Sequence, residues 1–118
     1  MTAGPGFISL QVHDIEASAA FYEKYLDLTR QPGPPHAVVF DTKPAAFAVR
    51  DALPGVDLSV PLGVGVGIWL HATNAQEIHD TLVSDGITIV TAPVDGPFGR
   101  TFTFADPDGY AITLHDKA

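Results

Sequence analysis

The stretch Phe7-Ile8-Ser9-Leu10-Gln11-Val12-His13-Asp14-Ile15-Glu16-Ala17-Ser18-Ala19-Ala20-Phe21-Tyr22 reads as a strand, a cap and a helix. Apolar and polar residues alternate from Phe7 to Val12, Asp14 is a good N-cap, and Ile15, Phe21, Tyr22 and Leu26 recur at helical spacing. Sixty positions later the pattern returns. Ile8 corresponds to Ile68, Leu10 to Leu70, Asp14 to Asn74 and Tyr22 to Leu82. Val64 to His71 reads as a strand, Asn74 as a cap, and Ile78, Leu82 and Val83 as a helix that stops at Gly86. Each half of the chain therefore opens with a βα unit.

Short β-like runs broken by turn residues follow each helix: Leu28 to Arg30, Ala37 to Asp41 and Ala45 to Arg50, then Thr88 to Thr91, Thr101 to Ala105 and Tyr110 to His115. The chain is thus expected to be an α+β protein, one domain over 1–118 made of two βαβββ modules (about 5–52 and 64–116). The Pro- and Gly-containing linker between them covers about 53–63. Two copies are too few for a solenoid, and two small sheets forming a half-barrel cleft fit better.

Composition excludes several classes of function. The 118 residues are 46% hydrophobic and 17% charged, which suits a packed domain and not a disordered chain. Fourteen acidic against six basic residues give a formal charge of −8, the wrong sign for nucleic acid or an anionic membrane surface. The acidic surplus sits mainly on helices and turns and reads as a solvated face. Without cysteine, disulfides, thiolate metal sites and cysteine nucleophiles drop out. No run reaches the length of a membrane span, and Met1 to Pro5 shows no basic-then-apolar leader pattern; a cytoplasmic protein is expected.

The turn Asp106-Pro107-Asp108-Gly109 sets the register of the last hairpin, because proline suits the first turn position and glycine the left-handed one. It predicts Ala105 opposite Ala111, Thr103 opposite Thr113 and Thr101 opposite His115. These six share one face, and Phe102, Phe104, Ile112 and Leu114 turn to the helices. An offset of 65 carries the same register to the first hairpin, where it places Phe40, Val38 and His36 on one face with Ala46, Ala48 and Arg50. In the opening strands, Ile8, Leu10 and Val12, with Val66, Ile68 and Leu70, are expected to pack on the helices. Phe7, Ser9 and Gln11, with Gly67, Trp69 and His71, are left for the concave face.

Val12 to Tyr22 after a strand, and the ending Phe104-Ala105-Asp106-Pro107-Asp108-Gly109-Tyr110-Ala111-Ile112, resemble the vicinal oxygen chelate superfamily. That superfamily contains glyoxalase I, extradiol dioxygenases, fosfomycin-resistance enzymes and bleomycin-binding proteins. The resemblance spans essentially the whole chain and implies the same duplicated fold; it leaves function open, since the superfamily holds both catalysts and binders. Its enzymes use His, Gln or Glu as metal ligands at positions that fall here on Phe7, Ala48, Gly67 and Thr113. Phenyl, methyl and hydrogen offer no lone pair and a threonine hydroxyl is a weak ligand, so no metal and no cofactor is expected.

His36, His71 and His115 point inward on this scheme, but no Asp or Glu shares their face to complete a metal set or a proton shuttle. Ser9 lacks a nucleophile elbow and an oxyanion loop. What the expected concave face does hold is Phe7, Phe40 and Trp69 beside small Gly67, Ala46, Ala48 and Ala111, with hydroxyls at Ser9, Thr101, Thr103 and Thr113. Large flat groups beside small ones form slots for planar ligands, although interior aromatics can equally fill the half-barrel. The loop Pro93 to Gly99 is expected to carry Phe98 over the mouth of the second module or onto a partner subunit.

The expected ligand-contacting residues are accordingly Phe7, Ser9, Gln11, Phe40, Ala48, Trp69, Phe98, Thr103, Thr113 and His115, with no catalytic residue. The resemblance implies a homodimeric small-molecule binder that sequesters a hydrophobic, polycyclic aromatic antibiotic. The alternative it implies is a glyoxalase- or dioxygenase-like metalloenzyme with unconventional ligands.

Overall fold

The computed structural model describes residues 2–117 and divides into two compact units between Val60 and Pro61. The chain is α+β, and each unit is one βαβββ module. In the first, β1 (Phe7–Gln11), α1 (Ile15–Leu26), β2 (Arg30–Gln31), β3 (Ala37–Phe40) and β4 (Ala46–Arg50) form a mixed sheet of order β1-β4-β3-β2. In the second, β5 (Ile68–His71), α2 (Ala75–Ser84), β6 (Ile89–Gly96), β7 (Gly99–Ala105) and β8 (Ala111–His115) give β5-β8-β7-β6. Both sheets pair the first strand parallel to the last, and neither closes into a barrel.

Local chemistry explains the elements. The Asp14 carboxylate accepts the Ala17 N–H at 3.1 Å, satisfying one of the free donors at the start of α1. Asn74 occupies the corresponding position before α2, but its side chain makes no capping bond. Gly86, at φ 75°, ends the second helix, with the Ile87 N–H returning to the Leu82 carbonyl at 2.9 Å. At the turn before β8, one oxygen of the buried Asp106 accepts from the N–H groups of both Asp108 and Tyr110 at 2.9 Å. This locks the pairing as expected: Ala105 with Ala111, Thr103 with Thr113, Thr101 with His115.

Each sheet buries one face against its own helix. In the first module Tyr22 of α1 lies 5.1 Å from the Phe47 ring and 6.2 Å from the Phe40 ring. In the second, Phe102, Phe104, Ile112 and Leu114 are buried with Ile78 and Leu82.

Three expectations are corrected. Phe40 is fully buried on the helix side, stacked 6.1 Å from Phe47, and does not join Phe7 and Ser9. Its partner is Phe47, not Ala46. The connection from Phe40 to Phe47 holds six residues where that from Ala105 to Ala111 holds five. One extra residue slips the register by one and turns β3 over, taking Val38 with it; His36 precedes the strand and is exposed.

Second, β5 begins at Ile68: positive-φ glycines at 63 and 65 break up the expected strand start, and Val66 is exposed instead of helix-packed. Third, Pro93 to Gly99 is no free loop. β6 runs through Gly96, and Gly96 pairs Gly99 across the two-residue turn Pro97-Phe98. One-residue shifts in the β6–β7 pairing absorb the irregular run that resembled a loop.

Candidate functional site

On the second sheet, β5, β8 and β7 carry Trp69, Thr113 and Thr103 as one row of cross-strand neighbours, with His71, His115 and Thr101 as the next. All six lie on the face turned away from α2. Trp69 is 51% exposed and Phe98 56% exposed, and because the two rings adjoin they form a patch and not scattered single apolar residues. They meet edge to face at 5.6 Å, and the His115 ring completes a triangle at 6.1 Å from Trp69 and 6.4 Å from Phe98. His71 sits beside His115, ring centroids 5.4 Å apart. The Thr103 and Thr113 hydroxyls are 2.7 Å apart. One must donate to the other, which leaves one hydroxyl proton for an outside acceptor.

This platform is held from both ends. The Lys117 N–H bonds the Phe98 carbonyl at 3.1 Å, and the Arg100 N–H bonds the Asp116 carboxylate at 2.7 Å, so the turn carrying Phe98 is fastened to the chain beyond β8. The Arg100 guanidinium forks onto Asp95 at 3.0 and 3.1 Å and reaches Gln76 of α2 at 3.0 Å. Gly99, at φ 81°, is obligatory in the turn, because a Cβ there would run into the Asp116 carboxylate. Gly67 differs from Gly99 in having room for a side chain. A Cβ on it would meet Trp69 Nε1 at 3.4 Å, an ordinary van der Waals contact, so the glycine lies directly beside the indole without being required there.

On the first sheet, Phe7, Ser9 and Gln11 share the face turned away from α1. Phe7 is 56% exposed. Gln11 is engaged, its Oε1 accepting the Leu53 N–H at 2.8 Å and fastening the segment after β4. Ala48, paired with Ser9 on one side and Val39 on the other, is fully buried and offers no surface, contrary to the expected slot. Of the ten expected contact residues, Trp69, Phe98, Thr103, Thr113 and His115 are thus brought together in one module. Phe7 and Ser9 form an exposed set on the other sheet, and Phe40 belongs to the core.

One feature of the first module escaped sequence reading. A hollow of about 360 Å³ lies between the start of α1 and β2, lined by Ile15, Glu16, Arg30, Gln31, Pro34 and Val38 among others. Arg30 forks onto Glu23 at 2.8 and 3.0 Å and reaches Glu16 at 3.3 Å. The seven-residue spacing of those glutamates, two helical turns on one face, was the available signal. The hydrogen bond from Arg30 holds the Glu23 carboxyl below its ordinary value, and the two glutamates raise the Arg30 guanidinium further. The other lowered carboxylates are Asp57, held by Ser59, and Asp80, held by His79 and Gln76. None of these four groups is part of the aromatic platform, which is built from two aromatic rings, threonine hydroxyls and two imidazoles.

The positions that the vicinal oxygen chelate resemblance reserves for metal ligands do not fit a metal. Phe7 presents a phenyl ring, Ala48 a buried methyl group, Gly67 no side chain at all, and Thr113 a hydroxyl tied to Thr103. His71 and His115 adjoin each other, but among the described residues no group of three or more His, Asp or Glu side chains is placed to hold an ion.

Two βαβββ modules, each backing an open mixed sheet with one helix, define a duplicated α+β class. The chain belongs to the glyoxalase/bleomycin resistance protein/dioxygenase superfamily, whose family model matches residues 4–114. It is similar to the structure of TnmS3, an antibiotic binding protein from Streptomyces sp. CB03234, at 24% identity over 100% of this chain and 99% of that one, TM-score 0.72. It is also similar to the fosfomycin resistance protein FosX from Listeria monocytogenes, at 16% identity over 100% and 96%, TM-score 0.77. A third similar structure is lactoylglutathione lyase from Agrobacterium tumefaciens, at 19% identity over 98% and 94%, TM-score 0.72. At these identities the likeness establishes the fold alone. No curated protein matches the chain. Among the described residues no helix is long and apolar enough to cross a membrane.

Proposed function

We propose that this protein binds a flat, hydrophobic, polycyclic aromatic antibiotic of quinone, anthracycline or enediyne type, without a metal and without transforming it. The observation that carries this reading is the half-exposed Trp69–Phe98–His115 triangle, fastened in place yet uncovered among the described residues. A fixed aromatic platform with one free hydroxyl proton at Thr103–Thr113 suits stacking on a planar ring and a single orienting hydrogen bond. Phe7 and Ser9 supply a second exposed aromatic and hydroxyl on the first sheet. Burying about 300 Å² of apolar ligand surface corresponds to roughly 7 kcal/mol before association costs, enough for sequestration once stacking is added.

The similarity to an antibiotic-binding protein accords with this reading, and the four unsuitable metal positions weigh against the lyase and dioxygenase chemistry of the same superfamily. A cytoplasmic homodimer belongs to the same proposal: β1 and β2 end one sheet and β5 and β6 the other, and such edges call for cover. The test is a fluorescence titration of Trp69, the only tryptophan, with a panel of planar antibiotics, alongside elemental analysis of the purified protein. Saturable, stoichiometric quenching by a planar compound in metal-free protein is the expected result. Near-stoichiometric zinc, nickel, iron or manganese, with no response to any member of the panel, would replace the binder with an enzyme.

A further inference from the structure

Histidine 115 carries chemical information that the aromatic platform alone does not. Its Nδ1 lies 2.9 Å from the carbonyl oxygen of Lys117. A carbonyl can only accept, so in the neutral ring the proton sits on Nδ1, and Nε2 is left with a bare lone pair. Nε2 has no hydrogen-bond partner among the described residues. The ring is half-buried and borders both Trp69 and Phe98, so the imidazole that carries this lone pair belongs to the platform.

His71 is set up in a comparable way, its Nε2 lying 3.3 Å from the Asp116 carbonyl. It differs in being exposed, on the edge strand β5, and its only ring contact given by the structure is with His115. The two backbone carbonyls thus leave each neutral imidazole one nitrogen able to accept, but only His115 adjoins the two rings on which a planar molecule would stack. The neighbouring row, Thr103 and Thr113, can donate. A platform with a fixed acceptor at one row and a hydroxyl donor at the next discriminates between ligands by the group they present to His115.

We infer that the planar ligand carries a phenolic hydroxyl, which donates its proton to Nε2 of His115, and that His115 selects hydroxylated aromatic rings over their ethers. This rests on the binding reading above and narrows its ligand class. An ether oxygen brings another acceptor against the lone pair, and a bare C–H leaves the ring nitrogen desolvated and unpaired, so both are disfavoured.

The probes are 2-naphthol and 2-methoxynaphthalene, flat molecules that differ at the one hydroxyl. Binding is followed through the indole N–H resonance of Trp69 by NMR, in buffer at about pH 8. Wild-type protein is expected to bind the naphthol about three- to ten-fold more tightly than its ether, the size of one hydrogen bond. In His115→Phe, which keeps a flat ring and removes the acceptor, the ratio falls to about one through loss of naphthol affinity, whereas His71→Phe retains it. If His115→Phe does not fold, wild-type protein decides alone: the ¹⁵N resonance of Nε2 moves upfield with the naphthol and not with the ether.

Equal affinities for the two probes, with an unmoved Nε2 resonance, overturn the role of His115 while leaving the stacking platform standing. Failure of both probes to perturb Trp69 overturns the platform and this inference together.

Discussion

Replacing Trp69 by alanine separates a ligand platform from a piece of core. A tryptophan side chain offers about 250 Å² of surface, and in this protein Trp69 is 51% exposed, so about half is covered by its neighbours. At about 25 cal/mol/Å², that covered half corresponds to an upper limit of about 3 kcal/mol, or about 2 kcal/mol once the unfolded chain's own burial is discounted. The exposed half has the same magnitude and becomes available only to a ligand stacked upon it. Trp69→Ala should therefore lower stability by about 2 kcal/mol, a fall of roughly 6–12 °C in Tm for a chain of this size. It should weaken a planar ligand by about 1–3 kcal/mol, roughly 5- to 150-fold. Thermal unfolding by circular dichroism gives the first quantity, and calorimetric titration of the folded variant gives the second. A loss of about 4–5 kcal/mol of stability, the cost of a fully buried tryptophan, with ligand affinity unaltered in the folded fraction, would refute the assignment of this face.

Phe40→Ala should behave in the opposite way, costing about 3–5 kcal/mol in denaturant unfolding and leaving ligand affinity unchanged, because the ring lies wholly between Tyr22 and Phe47. Gly99→Ala should destabilise by at least about 2 kcal/mol, since it combines positive φ with a clash on Asp116, and should release Phe98 from Trp69, visible as a change in intrinsic fluorescence without ligand. For Glu23, whose folded pKa is lowered by Arg30, the contribution to stability is fully present above the unfolded value of 4.5 and is lost as pH falls through the lowered folded value. Glu23→Gln should therefore flatten that part of the profile of Tm against pH. Treatment with EDTA should leave the affinity for a planar ligand unchanged, as titration before and after chelation will show.

The two hairpins explain which contacts could be read in the sequence. Asp106 to Tyr110 is a closed local circuit: the residue that begins the turn also accepts its N–H groups, so sequence-adjacent atoms set the register of β7 and β8. With it, strand alternation alone aligned Trp69, Thr113, Thr103 and His115 correctly. In the equivalent stretch of the first module, Asp41 to Ala46, the local bond runs instead from the Thr42 hydroxyl to the Ala45 carbonyl at 2.7 Å, a different closure. Borrowing the register from the other hairpin overlooked one residue and reversed β3. Chain-internal similarity transferred β1, β4 and both helices because the offset held there.

The duplication, the two βα units, the strand faces of the second module and the unsuitability of Phe7, Ala48, Gly67 and Thr113 as ligands were all determined by the sequence by itself. Each depends on residue type or on a period of two or 3.6, both of which are written along the chain. Only the tertiary structure decided that Phe40 is core and that Ala48 is covered. It alone showed that Pro97-Phe98 is the tip of a hairpin fastened to Asp116 and Lys117, and that His115 turns its bare nitrogen away from a backbone carbonyl. These join atoms that are distant along the chain or meet at a turn of irregular length. A one-residue slip there reverses a face, and the slip is settled by which arrangement buries Phe40 against Tyr22 and Phe47, a packing preference that no local pattern contains.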